Sequence, residues 1–252
     1  MCRIGGQAGR AAGRLDVQST VWGEHIADLI TRGFRCVAVD RRGHGRSEAP
    51  SGGYDLDTLA DDVAVLFEQR DLRDAIIVAH SMGSIEAIRY LSRHSTHRVD
   101  KLVLVAPTTP LLRKTDDNPD AIPAAAIESQ NKAIIQDLTK WIAENEAAFF
   151  ASDTILEIRV WSMMLSIQLP VALACRRTIA AADTRADLGK LDLLTLILHG
   201  DEDASAPLSM TGVRTAKLIR GSRLIVYESA RHAFVLTHRE RFLNDVPAFI
   251  AA

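Results

Sequence analysis

Ser81 stands in the run Ala79-His80-Ser81-Met82-Gly83, directly after the apolar stretch Ala75-Ile76-Ile77-Val78 and directly before an amphipathic stretch. A serine on so short a turn between strand and helix has its hydroxyl lifted clear of the sheet. The first amides of the helix then point at whatever it attacks. The residues two positions either side must be small, because the nucleophile's backbone is strained and neighbouring chain passes close. Gly83 meets that demand and Ala79 exceeds it by one methyl. The chemistry is nucleophilic acyl transfer, which needs a base for the hydroxyl and a carboxylate to orient the base. Two later strand ends supply candidates. Leu193 to Leu198 leads into His199-Gly200-Asp201-Glu202-Asp203, and Ser222 to Glu228 leads into Ser229-Ala230-Arg231-His232. Catalytic groups gather at such strand ends in open parallel sheets. Asp201 and Glu202 compete with Asp203 for the acid; Asp203 is favoured, and Asp201 is read as capping the loop or bonding to backbone.

The elements that must carry these residues alternate. Strands are predicted over 34–39, 74–79, 100–105, 193–199 and 222–228, with helical periodicity between them. That alternation predicts an α/β fold with a mostly parallel sheet and helices on both faces. Leu59, Val63, Leu66 and Phe67 mark a helix near 56–70, with Thr58 and Asp61 at capping-box spacing. Ile85, Ile88 and Leu91 mark the buried face of the helix after Ser81, and Phe242, Val246, Phe249 and Ile250 that of a last helix. Pro247 is expected to break or restart that last helix, with Asn244 or Asp245 as caps. Strand alternation stops over 108–190, where helical patterns take over. Residues 1–107 and 191–252 are therefore read as the core and 108–190 as a helical insertion. Phe149, Phe150, Trp161, Met163, Met164 and Leu165 cluster there. Trp161 and Met164, with Thr108 just past a strand end, are assigned to binding an apolar substrate.

A chain of 252 residues can bury one substantial core. A net charge of −2 argues against nucleic acid or an anionic membrane as partner, and no apolar span is long enough to cross a bilayer. The first residues lack an export signal, and Cys2, Cys36 and Cys175 are odd in number and far apart. Reduced thiols in a cytoplasmic protein are expected. Self-association is left open. His44 is read as bracing a turn, His80 as a packed neighbour of the nucleophile and His199 as structural. His94 and His97 are read as exposed, and His25 and His238 as surface positions. None has metal-ligand spacing, and no dinucleotide or phosphate loop is present, so neither metal nor cofactor is expected.

The stretches Val39-Asp40-Arg41-Arg42-Gly43-His44-Gly45-Arg46-Ser47, His80-Ser81-Met82-Gly83, Gly200-Asp201-Glu202-Asp203 and the late His232 resemble an α/β-hydrolase. Within that superfamily the chain is similar to the non-haem chloroperoxidase group, which includes esterases, lactonases and perhydrolases. Ala106-Pro107-Thr108-Thr109-Pro110 with Lys114, Asn118-Pro119 and Ala206-Pro207-Leu208 extend the match, which runs from about Trp22 to the C-terminus. The resemblance implies Ser81 as nucleophile, Asp203 as acid and His232 as base, with the amide of Met82 as one oxyanion donor. It also implies that 108–190 forms a cap over the site. In the family the second donor follows a His-Gly pair at a strand end. Gly13 matches that glycine but no histidine precedes it, and Arg14 is assigned as the donor. The glycines and arginines of residues 4–10 break any strand pattern, so the N-terminal strands are expected to be missing or irregular and residues 1–14 poorly ordered, in a chain that begins late.

The implied function is hydrolysis of small carboxylic esters or lactones through an acyl-enzyme. A serine at 81 argues against dehalogenation, which needs a carboxylate nucleophile. Cofactor-free perhydrolysis or haloperoxidation is an alternative, ranked lower because residues 13–22 hold no proline. A hydrolase-fold binding protein or truncated inactive homologue is a further alternative.

Overall fold

The computed structural model describes residues 2–4, 10–16, 19–150 and 154–252, the first two stretches by their backbone. Among these residues lie the strands β1 (Cys2–Ile4), β2 (Arg10–Asp16), β3 (Phe34–Asp40), β4 (Ala75–His80), β5 (Val99–Val105), β6 (Leu194–Gly200) and β7 (Arg223–Tyr227). They form one sheet in the order β1-β3-β2-β4-β5-β6-β7. β1 is antiparallel to its neighbours and the rest are parallel. Every residue of β4 is buried, and β5 and β6 nearly so, as continuous apolar runs require when both faces are covered.

Helices α1 (Gly23–Thr31), α2 (Leu56–Gln69) and α3 (Met82–His94) precede β5. Between β5 and β6 come α4 (Ala124–Gln136), α5 (Leu138–Asn145), α6 (Thr154–Leu165), α7 (Leu169–Ala181) and α8 (Arg185–Leu188). Then follow α9 (Gly212–Leu218), α10 (Phe234–Thr237) and α11 (Arg239–Ala251). Alternation along β4 divides the core. Ala75, Ile77 and Ala79 pack with Phe67, Ile88 and Leu91 of α2 and α3. Ile76 and Val78 pack on the other face with Trp22, Phe234, Phe242 and Val246. His25 belongs to that second layer rather than to the surface. It is 1% exposed, tilted against Trp22, and its Nε2 lies 2.8 Å from the carbonyl of Val235.

The sequence expectation fails at several points. Despite its glycine and arginines, Arg10–Asp16 is a strand, parallel to β4 with Leu15 opposite Ala79. Pairing partners on both sides outweigh weak intrinsic preference. The cap of α2 is Asp55, whose carboxylate accepts the Thr58 amide at 2.9 Å; Thr58 lies inside the helix. Helix α11 runs through Pro247 unbroken. The proline removes the donor for the carbonyl of Leu243, and Nη1 of Arg32 donates to that carbonyl instead, at 2.8 Å. Cys36 is disulfide-bonded rather than reduced, and the β1–β3 register sets Cys2 directly opposite it. Opposed positions on antiparallel strands lie within the Cα span of a disulfide.

Candidate active site

The turn from β4 to α3 places Ser81 at φ 51°, ψ −123°, a region that side chains rarely enter. Surrounding bonds hold it there. Its amide donates to the carbonyl of Val105 at 3.0 Å, and its carbonyl accepts from the amide of Ser84 at 2.9 Å. The Thr108 amide donates to Ser84 Oγ at 3.0 Å, so the end of β5 braces the same turn. Met82 opens α3, and its amide therefore lacks an acceptor one helical turn back.

The loops after β6 and β7 are tied together. Asp201 donates its amide to Tyr227 and accepts the Ala230 amide at 3.2 Å, while the Glu202 amide donates to the Ala230 carbonyl. Gly200 makes this approach possible, since a Cβ there would lie 2.0 Å from the oxygen of Ala230. Asp201 thus braces the loop, and Asp203 is the carboxylate delivered to His232. Asp203 Oδ2 lies 2.7 Å from His232 Nδ1, and His232 Nε2 lies 2.8 Å from Ser81 Oγ. A carboxylate can only accept, so the proton of a neutral His232 sits on Nδ1 and the lone pair of Nε2 faces the serine.

Asp203 has four donors. Oδ1 takes the amides of Ser205 and Ala206, and Oδ2 takes His232 and, at 3.2 Å, His199 Nε2. Burial works against its charge. The electrostatic attraction of the His232 ring and the hydrogen bonds of His199 and His232 outweigh that cost and hold the carboxyl far below the ordinary range. Asp203 is thus a negative charge fixed against His232 Nδ1.

Ser81 and His232 open into two joined lobes, of about 230 Å³ and about 180 Å³. The first is mostly apolar, with Ile134, Leu138, Phe149, Val160, Met163 and Met164 supplied by the stretch between β5 and β6. The second holds Thr108, Gln130 and Ser205 among apolar side chains. Of the three substrate-binding assignments, Met164 and Thr108 line these lobes. Trp161 does not; it lies behind Phe149, in a small void with Phe150 and Ile142. Leu165 is exposed. Cys175 lines the first lobe, and burial pushes its thiol up to about 11. Arg14 lies within β2, level with Val78 of β4; the Asp40 carboxylate ties down the chain beyond by accepting the Ser19 amide at 2.6 Å. The loop carrying His232 is fastened to the helical stretch, with the Ala233 amide donating to Phe149 and the Phe149 ring edge-on to His232. A larger cleft of about 570 Å³ between β3 and α2 contains none of Ser81, Asp203 or His232.

Sequence reasoning passed over Arg176, which lines both lobes, and gave His199 no part in holding Asp203. The signal for His199 was its four-residue spacing from Asp203 across a strand end. Nothing local marks Arg176.

The chain resembles proteins with this architecture along nearly its whole length. It is 33% identical over 238 residues to the non-heme chloroperoxidase CPO-A1 of Kitasatospora aureofaciens, covering 91% of this chain and 86% of that one. It is 30% identical over 250 residues to the bifunctional esterase/perhydrolase DCH of Acinetobacter calcoaceticus, covering 93% and 88%. The crystal structure of a bromoperoxidase from Bacillus anthracis superposes with a TM-score of 0.94 at 28% identity, covering 100% of this chain and 94% of that one. A family model described as alpha/beta hydrolase fold matches residues 9–239, and with the elbow, the sheet order and these relatives in agreement, the chain belongs to the α/β-hydrolase family.

Proposed function

We propose that the protein is a serine hydrolase of small carboxylic esters or lactones, with residues 108–190 acting as its cap. The observation that carries this reading is the unbroken relay from Asp203 through His232 to Ser81, with contacts of 2.7 and 2.8 Å. His232 Nε2 takes the hydroxyl proton as Ser81 Oγ bonds to the carbonyl carbon. The amide of Met82 and a second donor, assigned to Arg14 near the end of β2, stabilise the oxyanion. On collapse the carbon–oxygen bond to the alcohol breaks and His232 protonates the departing oxygen. Water then attacks the acyl-enzyme, giving up a proton to His232, and the carboxylic acid and free Ser81 are released.

The test is hydrolysis of p-nitrophenyl butyrate by the wild type beside Ser81→Ala. Turnover lost in the variant supports the serine mechanism. Equal background from both folded proteins overturns it and leaves a binding protein. The chloroperoxidase and perhydrolase relatives favour a second reading, in which hydrogen peroxide replaces water at deacylation and the acyl group leaves as a peracid. Peracid formation from acetate ester and peroxide, absent in Ser81→Ala, would support that route.

A further inference from the structure

Among the described residues two arginines, Arg41 and Arg176, line the lobes beside Ser81, and they differ in their surroundings. Arg41 is ion-paired with the buried Glu86, so its charge is answered inside the protein. Arg176, on α7, has no carboxylate partner among the described residues. Its Nε donates to Asn131 Oδ1 at 2.9 Å and its Nη2 to Gln130 Oε1 at 2.8 Å, both neutral amides on α4. Its guanidinium carbon stands 5.2 Å from the centre of the Trp141 ring. Burial works against the charge with no nearby carboxylate to offset it. A guanidinium carries five N–H donors, and those of Nη1 have no hydrogen-bond acceptor among the described residues.

Position gives this a purpose. Among the described residues, only Ser81, Phe149, Arg176, Ile179 and His232 line both lobes, so Arg176 borders the space that both lobes share beside Ser81. Among the described residues no aspartate or glutamate lines either lobe, so none of them would repel an anion there. The amides of α4 and the Trp141 ring hold the guanidinium in place before any ligand arrives. A planar, fixed fork of donors suits a carboxylate.

Resting on the hydrolase reading above, we propose that Arg176 anchors a carboxylate carried by the substrate, making the preferred substrates esters or lactones that bear a second, free carboxylate near the reacting carbonyl. Monoesters of short dicarboxylic acids are the simplest members of that class. The apolar lobe takes the hydrocarbon, and Arg176 selects among acyl groups that would otherwise fit equally well.

The experiment compares monomethyl glutarate with its neutral isostere methyl glutaramate on the wild type, Arg176→Met and Arg176→Lys. The wild type is expected to favour the anion by at least roughly tenfold in kcat/KM, where tenfold corresponds to about 1.4 kcal/mol. Arg176→Met should lower that ratio by a similar factor, chiefly through KM, and Arg176→Lys should restore part of it. A ratio equal in wild type and Arg176→Met overturns the assignment, as does a parallel fall for both esters. Titration of glutarate into Ser81→Ala, with and without Arg176→Met, separates this from the hydrolase reading. Binding lost with Arg176→Met supports the anchor even if no ester is turned over, and no binding to either protein overturns it.

Discussion

His199 Nε2 lies 3.2 Å from Asp203 Oδ2, the same oxygen that accepts from His232, and 2.8 Å from the carbonyl of Ala206. Both partners are acceptors, so the Nε2 of His199 carries the proton. Its Nδ1 is buried and has no hydrogen-bond partner among the described residues, so Nε2 is the nitrogen that the fold uses. His199 therefore acts as a positioning residue that holds the carboxylate in line with His232.

His199→Leu should leave the triad side chains in place but free Asp203 to rotate. One charge-assisted hydrogen bond is worth about 1.5 kcal/mol, so kcat for p-nitrophenyl butyrate should fall roughly tenfold. His199→Gln, which keeps a donor, should recover part of that loss. Equal kcat in wild type and His199→Leu would remove the positioning role.

Ser81 is held at φ 51°. Ser81→Gly removes the proposed nucleophile but also relieves backbone strain of about 1–3 kcal/mol. The added freedom of the unfolded glycine chain offsets about 0.4–1 kcal/mol of this. The expected result is an inactive protein about 1 kcal/mol more stable, read from its urea midpoint. Ser81→Ala, equally inactive, should not gain that stability.

Gly200→Ala would drive a methyl into the carbonyl of Ala230 at 2.0 Å, where only backbone can yield. Displacing that loop should cost about 3 kcal/mol, at the upper end of overpacking. It would also pull His232 from Ser81. Gly221→Ala, at φ 72° but with open space around it, serves as a control whose cost is local.

The Asp203 carboxyl is held below its ordinary value of about 3.9. Its stabilising effect is therefore complete above that pH and is lost as pH falls from there towards the folded value. The stability of wild type relative to Asp203→Asn, followed by urea unfolding, should be greatest above about pH 5 and shrink below about pH 4. A difference independent of pH would mean that the carboxylate contributes no such linkage.

Arg32→Met should cost about 1 kcal/mol by stripping the Leu243 carbonyl of its donor. The exposed i,i+4 pair of Arg32 with Asp28 adds little. In a Pro247→Ala background the helix supplies its own donor, so the cost of Arg32→Met should drop. Additive losses across the double-mutant cycle would break the link between the two residues.

By itself the sequence determined the α/β order, five of the strands to within a residue or two, and the serine elbow, while the resemblance singled out His232. Order, strands and elbow are each a local matter, of apolar runs, period and the small residues a tight turn demands. Tertiary structure decided what depends on residues far apart in the chain. It supplied the reason for preferring Asp203, already implied by the resemblance, to Asp201: the pairing of two loops across Gly200 fixes which carboxylate reaches His232. It carried α11 past Pro247, because a side chain from α1's end supplies the missing donor. It drew Arg10–Asp16 into the sheet against its composition. It also turned Trp161 away from the cavity and brought Arg176 into it, since helical periodicity marks a buried face but not what that face will meet.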